Sequence, residues 1–158
     1  MKSKLEKISI IGGAGFVGTN FANRLAKKKI PFEIIDIKVS QKFKGKSLYG
    51  DVRDVDSLRK AISGSVVINL AAVHRDDIAN SREYYNTNVK GAENVCKVCS
   101  EKKIKKILFT SSVAIYGFAL PNTDENGVIN PFNDYGKSKF EAEKKYILWS
   151  KANENSLI

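Results

Sequence analysis

The sequence predicts an α/β domain built on a doubly wound parallel sheet. Three observations carry that reading. Short, almost uniformly apolar runs at Ile8–Ile11, 32–37 and 66–72 have the composition of strands buried on both faces. Segments with apolar residues at three- and four-residue intervals lie between them. Glycines and prolines fall where the pattern changes, and strands alternating with helices in this way imply right-handed parallel crossovers.

Each element follows from its own residues. Ile8, Ile10 and Ile11 end abruptly in glycines, as a buried parallel strand does. From Phe16, apolar residues recur at Val17, Phe21, Leu25 and Ala26, and Pro31 prevents a helix from continuing past Ile30. A second strand, 32–37, leads through a lysine-rich connection to a short strand around Ser47–Tyr49. Asp54 is placed to N-cap a helix over 55–62. The run 66–72 is a fourth strand, apolar except for Asn69. Residues 81–101 carry helical periodicity through Tyr84, Val89, Ala92, Val95, Val98 and Cys99, and 104–110 form a fifth strand. Between 111 and 134 there is no regular period, and a loop this long inside a compact domain is usually functional. A helix is expected from Tyr135 to about Asn153, with Phe140, Ile147 and Leu148 at helical offsets. Residues 156–158 read as a strand just beginning. A sheet strand needs more than that, so the natural protein is expected to continue beyond residue 158.

The chain's 158 residues suit one ordinary globular domain, with no repeats and no disorder-prone composition. No apolar run approaches the roughly 20 residues of a membrane span, and neither end carries a signal or lipidation pattern. Two cysteines are too few for a disulfide framework, which points to a reducing, cytoplasmic setting. The net charge of +10 first suggests nucleic acid or an anionic membrane. Its distribution argues otherwise. Lysines outnumber arginines 22 to 5 and are spread over 27–29, 38–46, 102–106 and 137–145. Arginine forks, which read bases, are sparse, so the charge is expected to be solvated lysine faces with no nucleic-acid or membrane partner.

The chemistry-bearing residues fall at strand ends. Gly12, Gly15 and Gly18 fit G-x-x-G-x-x-G between the first strand and the first helix. There Gly12 permits the tight turn, Gly15 lets a pyrophosphate approach the backbone, and Gly18 lets the helix pack closely. Phe16 and Val17 open the helix, whose N-terminus supplies donors and partial positive charge to phosphates. Asp36 stands eighteen residues after Gly18, where a carboxylate accepts both adenosine ribose hydroxyls and repels a 2′-phosphate, favouring NAD over NADP. Lys38 and Lys42 soften that preference. Asp51 and Val52 are candidates for the adenine, the alternative for Asp51 being a solvated turn. This is a Rossmann-like arrangement.

A second constellation couples Tyr135 and Lys139, four apart on one helix face, with Ser112 at the end of the fifth strand. A free phenol is a poor base at neutral pH, and an adjacent cation favours the phenolate. Glycine fingerprint, acidic strand end, strand-end serine and Tyr-x-x-x-Lys, in this order, resemble the extended short-chain dehydrogenase/reductase superfamily, in its nucleotide-sugar epimerase and dehydratase branch. The resemblance covers essentially the whole chain, including Asn69-Leu70-Ala71-Ala72, Asn88-Val89-Lys90-Gly91 and Ser111 to Gly117. It implies NAD as cofactor, Tyr135 as general base, Lys139 as its activator and ribose ligand, and Ser112 as partner of the substrate hydroxyl. It further implies that Leu70, Ala71, Ala72 and Ser111 lie at the cofactor and that Asn88 fixes the backbone beside the nicotinamide.

Within that branch, glucose 4,6-dehydratases carry an Asp-Glu pair where this chain has Val113-Ala114, which disfavours dehydration. The segment is more like 4-epimerases, implying a UDP-hexose or UDP-N-acetylhexosamine as the nucleotide-sugar substrate. A 4-keto-sugar reductase with exchanging cofactor and a noncatalytic dinucleotide-binding regulatory module are the alternatives. The resemblance also makes residues 1–158 an incomplete NAD-binding domain without its substrate part, inactive alone, and a homodimer in the full-length protein. Cys96 and Cys99 form a C-x-x-C deep in a helix and read as buried structural thiols. His74 is either a cofactor-side contact or a solvated loop residue. Tyr146 and Trp149 are expected to pack against a C-terminal part beyond this sequence.

Overall fold

The computed structural model describes residues 6–75, 78–153 and 156–158. Six strands, β1 (Ile8–Ile11), β2 (Phe32–Asp36), β3 (Ser47–Tyr49), β4 (Val66–Asn69), β5 (Lys106–Phe109) and β6 (Ser156–Leu157), form one sheet in the order β3-β2-β1-β4-β5-β6. Every pairing is parallel. The helices are α1 (Phe16–Lys27), α2 (Val55–Ala61), α3 (Arg82–Tyr84), α4 (Gly91–Glu101) and α5 (Asp134–Asn153).

The sheet is covered on both faces because its strands alternate two apolar sets. Ile10 and Ile34 pack with Ala22 and Leu25 of α1. Ile11, Ile35, Val67 and Ile107 pack with Leu58 of α2, Val95 and Val98 of α4, and Ala142 of α5. This is the doubly wound sheet that the uniformly apolar strands imply. No helix among the described residues is long and apolar enough to cross a membrane.

Several boundaries differ from the expected ones for local reasons. The fourth strand stops at Asn69 because its side-chain Oδ1 accepts the N–H of Ala71 at 3.1 Å, turning the chain out of the ladder. The fifth begins at Lys106, since Ile104 N–H still bonds Cys99 O of the preceding helix end, where Lys103 takes φ 56°. The expected helix over 81–101 widens into a π-helical stretch, Tyr85–Lys90, between α3 and α4. Asp54 caps α2 as expected, accepting from the N–H groups of Asp56 and Ser57.

Tyr146 and Trp149 belong to this chain's own core, which corrects their assignment to an outside surface. Both face α4 and the sheet and are buried. The Tyr146 hydroxyl accepts from Asn69 Nδ2 at 2.6 Å, and Trp149 Nε1 donates to Ser100 Oγ at 2.9 Å. The one polar residue of β4 is thereby satisfied from α5. Cys96 and Cys99 are buried thiols. Burial pushes Cys96 up to about 12 and Cys99 higher still, as suits inert structural cysteines.

At the N-terminal edge of the sheet a buried carboxylate ties three segments together. Glu33 of β2 accepts from Ser9 Oγ of β1 at 2.6 Å and from Ser63 N and Oγ at 2.7 and 2.6 Å. Lys7 completes the set as an ion pair. These bonds outweigh the cost of burial and hold the Glu33 carboxyl below the ordinary carboxylate range. Its contribution is therefore fully present above the unfolded carboxyl pKa and lost as pH falls through the lower folded value. Glu33→Gln is expected to cost about 1–3 kcal/mol in urea unfolding at pH 7. The gap from the parent should narrow when the titration is repeated near pH 3.

Candidate active site

The order of the strands creates the site. All strands point the same way, but β2 and β3 are added on one side of β1, and β4, β5 and β6 on the other, so the loops after β1 and β4 lead to opposite faces and leave a crevice. A cleft of about 620 Å³ opens there, between Gly12, Asp36, Gly50, Leu70 and Thr110. Gly12 sits at φ 74°, and a Cβ on it would meet Ala71 N at 2.6 Å, so glycine is required for conformation and for space. A Cβ on Gly18 would meet Gly13 Cα at 2.5 Å, which fixes how closely α1 approaches the turn.

Gly15, the N-cap of α1, is different. A Cβ there would meet only Gly12 O at 3.4 Å, so the space beside it belongs to the cleft. Phe16 and Val17 follow at the cleft wall, exposed by 86% and 58%. Asp36 ends β2 with Oδ2 accepting from Ala14 N–H and Oδ1 from Lys38 N–H, both at 3.0 Å. Each oxygen keeps a further lone pair. The carboxylate thus pins the glycine turn while remaining a lining group of the cleft.

Across the crevice, α5 contributes Tyr135 and Lys139, both cleft-lining. Lys139 is only 4% exposed. Its Nζ donates to Thr110 O at 2.5 Å and lies 4.1 Å from the centroid of the Phe109 ring. Burial brings this ammonium down to about 8, with the Glu143 charge opposing the shift.

The expected site residues Gly12, Gly15, Phe16, Val17, Gly18, Asp36, Asp51, Val52, Leu70, Ala71, Ala72, His74, Ser111, Tyr135 and Lys139 all line this one cleft. Two do not. Asn88 lies buried behind it, accepting from Val73 N–H at 2.9 Å and donating to Val73 O at 3.0 Å and Ser138 Oγ at 2.9 Å. It acts on the wall through the Val73 peptide, because both faces of its amide are used there. Ser112 caps the helical turn Val113–Tyr116, its Oγ accepting from Ala114 N–H at 3.2 Å. Asp51 reaches the cleft already paired: Arg53 donates from Nε at 3.0 and 3.1 Å, and from Nη2 at 2.6 Å. This pair holds the Asp51 carboxyl below the usual range. Sequence reasoning passed over Arg53, Thr87 and Thr110, which also line the cleft. Arg53 directly follows a residue singled out from the sequence, and Thr87 and Thr110 each directly precede one.

A family model described as the NAD dependent epimerase/dehydratase family matches residues 8–157. The chain belongs to that family. Among the relatives of this epimerase/dehydratase chain is the N-acetyl-α-D-glucosaminyl-diphospho-ditrans,octacis-undecaprenol 4-epimerase of Escherichia coli O157:H7. It is 40% identical over 145 residues, 91% of this chain and 44% of that protein. The UDP-glucose 4-epimerase of Lactobacillus helveticus is 28% identical over 87% of this chain and 45% of its own length. The crystal structure of the Brucella ovis UDP-glucose 4-epimerase in complex with NAD superposes with a TM-score of 0.85 at 26% identity, covering 96% of this chain and 50% of that one. The chain spans about half the length of the relatives it matches.

The buried ammonium of Lys139 carries a stability cost. Its fall from 10.5 to about 8 corresponds to roughly 3 kcal/mol at neutral pH. That cost is complete below the folded value and disappears as pH rises towards the unfolded one. Lys139→Met is expected to unfold at a higher temperature than the parent at pH 7, with the difference shrinking between pH 8 and 10.

Proposed function

We propose that this chain is the dinucleotide-binding part of an NAD-dependent 4-epimerase of diphosphate-linked sugars, with Tyr135, Lys139 and Ser112 as its catalytic set. The reading rests on one observation above the rest: a glycine turn, a ribose-reading carboxylate and a Tyr-x-x-x-Lys pair share a single cleft. The residues fit NAD. The open space beside Gly15 admits a pyrophosphate to the N-terminus of α1, and the remaining lone pairs of Asp36 suit a ribose diol. NAD, when bound, supplies the acceptor and donor of the C4 hydride.

In this reading the chain's own groups handle the proton. Tyr135 takes it from the sugar 4-hydroxyl and returns it after the 4-keto sugar has turned its other face. Lys139 stabilises the phenolate from the same helix face. Ser112 spends an acceptor lone pair on Ala114 N–H, so its own O–H remains available to the sugar oxygen.

The carrier of the sugar has two readings. UDP-hexose or UDP-N-acetylhexosamine is the expectation from the sequence, supported by UDP-glucose 4-epimerases among the relatives. An N-acetylhexosamine on a polyprenyl diphosphate is favoured by the 40% identity to an enzyme named for such a substrate. The loop before Tyr135 also exposes Val113, Phe118, Leu120, Val128 and Phe132, with Phe118 stacked on Phe132, apolar surface of the kind a lipid tail could meet. The full-length protein should be assayed with UDP-glucose, UDP-galactose, their N-acetyl forms and N-acetylglucosaminyl-diphospho-undecaprenol. Epimer is expected from one of these without net use of added cofactor, and Tyr135→Phe should lower kcat by about 100- to 10,000-fold. Consumption of NADH would favour the reductase; undiminished turnover by Tyr135→Phe would overturn the catalytic assignment.

A further inference from the structure

α5 presents a third functional side chain in line with Tyr135 and Lys139. Glu143 is four residues beyond Lys139 and so falls on the same helix face. Its Oε2 accepts from Ser111 Oγ at 2.6 Å. The neighbouring carbonyl, Thr110 O, is the one that receives Lys139 Nζ. Two successive residues at the end of β5 are thus tied to two successive turns of α5, one through the cation and one through the carboxylate.

This arrangement also separates the roles of the adjacent serines. The Ser111 hydroxyl donates its hydrogen bond to Glu143, whereas the Ser112 hydroxyl accepts one from a backbone N–H and leaves its own O–H uncommitted. Ser111 reaches the cleft wall, but its donor is committed to the helix behind it. Among the described residues, the titratable groups around Lys139 are Tyr135 and Glu143 on α5, with Asp36, Asp51, Arg53, His74 and Glu83 elsewhere on the cleft wall; β5 presents the neutral Phe109 ring and Thr110 carbonyl. Among the described residues, Glu143 is the charge that acts on Lys139.

We propose that Glu143 is a positioning residue, which locks the end of β5 to α5 through Ser111 and keeps Lys139 an ammonium within its buried site. Glu143 touches neither substrate nor cofactor in this account and works through Lys139 and the Ser111–Ser112 segment. The link to turnover rests on the epimerase reading. The link to Lys139 does not, because it is a property of the apoprotein.

The test separates the two. In the full-length protein without added cofactor, the pH dependence of Lys139 acylation by an amine reagent is followed by peptide mass spectrometry. For the parent the midpoint is expected near 8. Glu143→Gln retains an acceptor for Ser111 but removes the charge, and should lower that midpoint by about one pH unit. Ser111→Ala keeps the charge and should not lower it, and Glu143→Asp should restore most of the parent value. With substrate, Glu143→Gln should move the alkaline limb of kcat downward by a similar amount while KM stays within about twofold. An unchanged Lys139 midpoint in folded Glu143→Gln overturns the proposal. A shifted midpoint in a protein that turns over no sugar would leave the proposal standing and remove the epimerase reading.

Discussion

The backbone of Gly12 passes so close to Ala71 that not even a methyl group fits between them. That approach brings the first turn of β1 against the end of β4, at the point where the sheet reverses its strand order. The residues that line the cleft are arranged around it. With the two strand ends this close, the loops above them diverge into a crevice, and the side chains that follow Ile11, Ile35, Asn69 and Phe109 converge on it. A larger residue at position 12 would push the turn away from Ala71 and would also have to adopt a left-handed φ.

Holding the crevice open requires polar groups behind an apolar lining. Asn69 joins β4 to α5 through Tyr146, Asn88 clamps the Val73 peptide and Ser138, and Lys139 joins α5 to the end of β5. Among the described residues no buried side-chain nitrogen or oxygen lacks a partner. Each of these bonds is a modest net contribution, but leaving one half unmade would cost a desolvated polar group. The cost that remains is the Lys139 charge itself, buried beside the Phe109 ring and the Thr110 carbonyl with the Glu143 charge opposing the cost. The role proposed for Lys139 beside Tyr135 thus puts a cation where the fold alone would not keep it.

The sequence made the local parts of this arrangement legible. Glycine spacing, the acidic end of β2 and the Tyr-x-x-x-Lys pair are short-range patterns whose geometry follows from strand and helix periods. Side-chain partnerships were not legible, whether within a turn or across the fold. Arg53 taking both oxygens of Asp51 depends on a turn's side-chain rotamers, and the acceptor of Lys139 is a backbone carbonyl 29 residues away. The lysine- and glutamate-rich composition of α5 gave little indication of its buried face. Only contact with α4 shows that Tyr146 and Trp149 point inward. Strand ends shifted for a related reason: apolar residues 70–72 continue the pattern of β4 because they floor the cleft, after the ladder itself has ended.

In the proposed reading the space beside Gly15 receives a dinucleotide phosphate. That assignment is tested most directly by calorimetric titration of NAD into the full-length protein and into Gly15→Val. The added side chain meets no protein atom closer than 3.4 Å at its Cβ, so the fold should be retained and the melting temperature little changed. NAD affinity should fall by at least about tenfold, a loss of about 1.4 kcal/mol. Equal affinity in the two proteins would contradict the assignment.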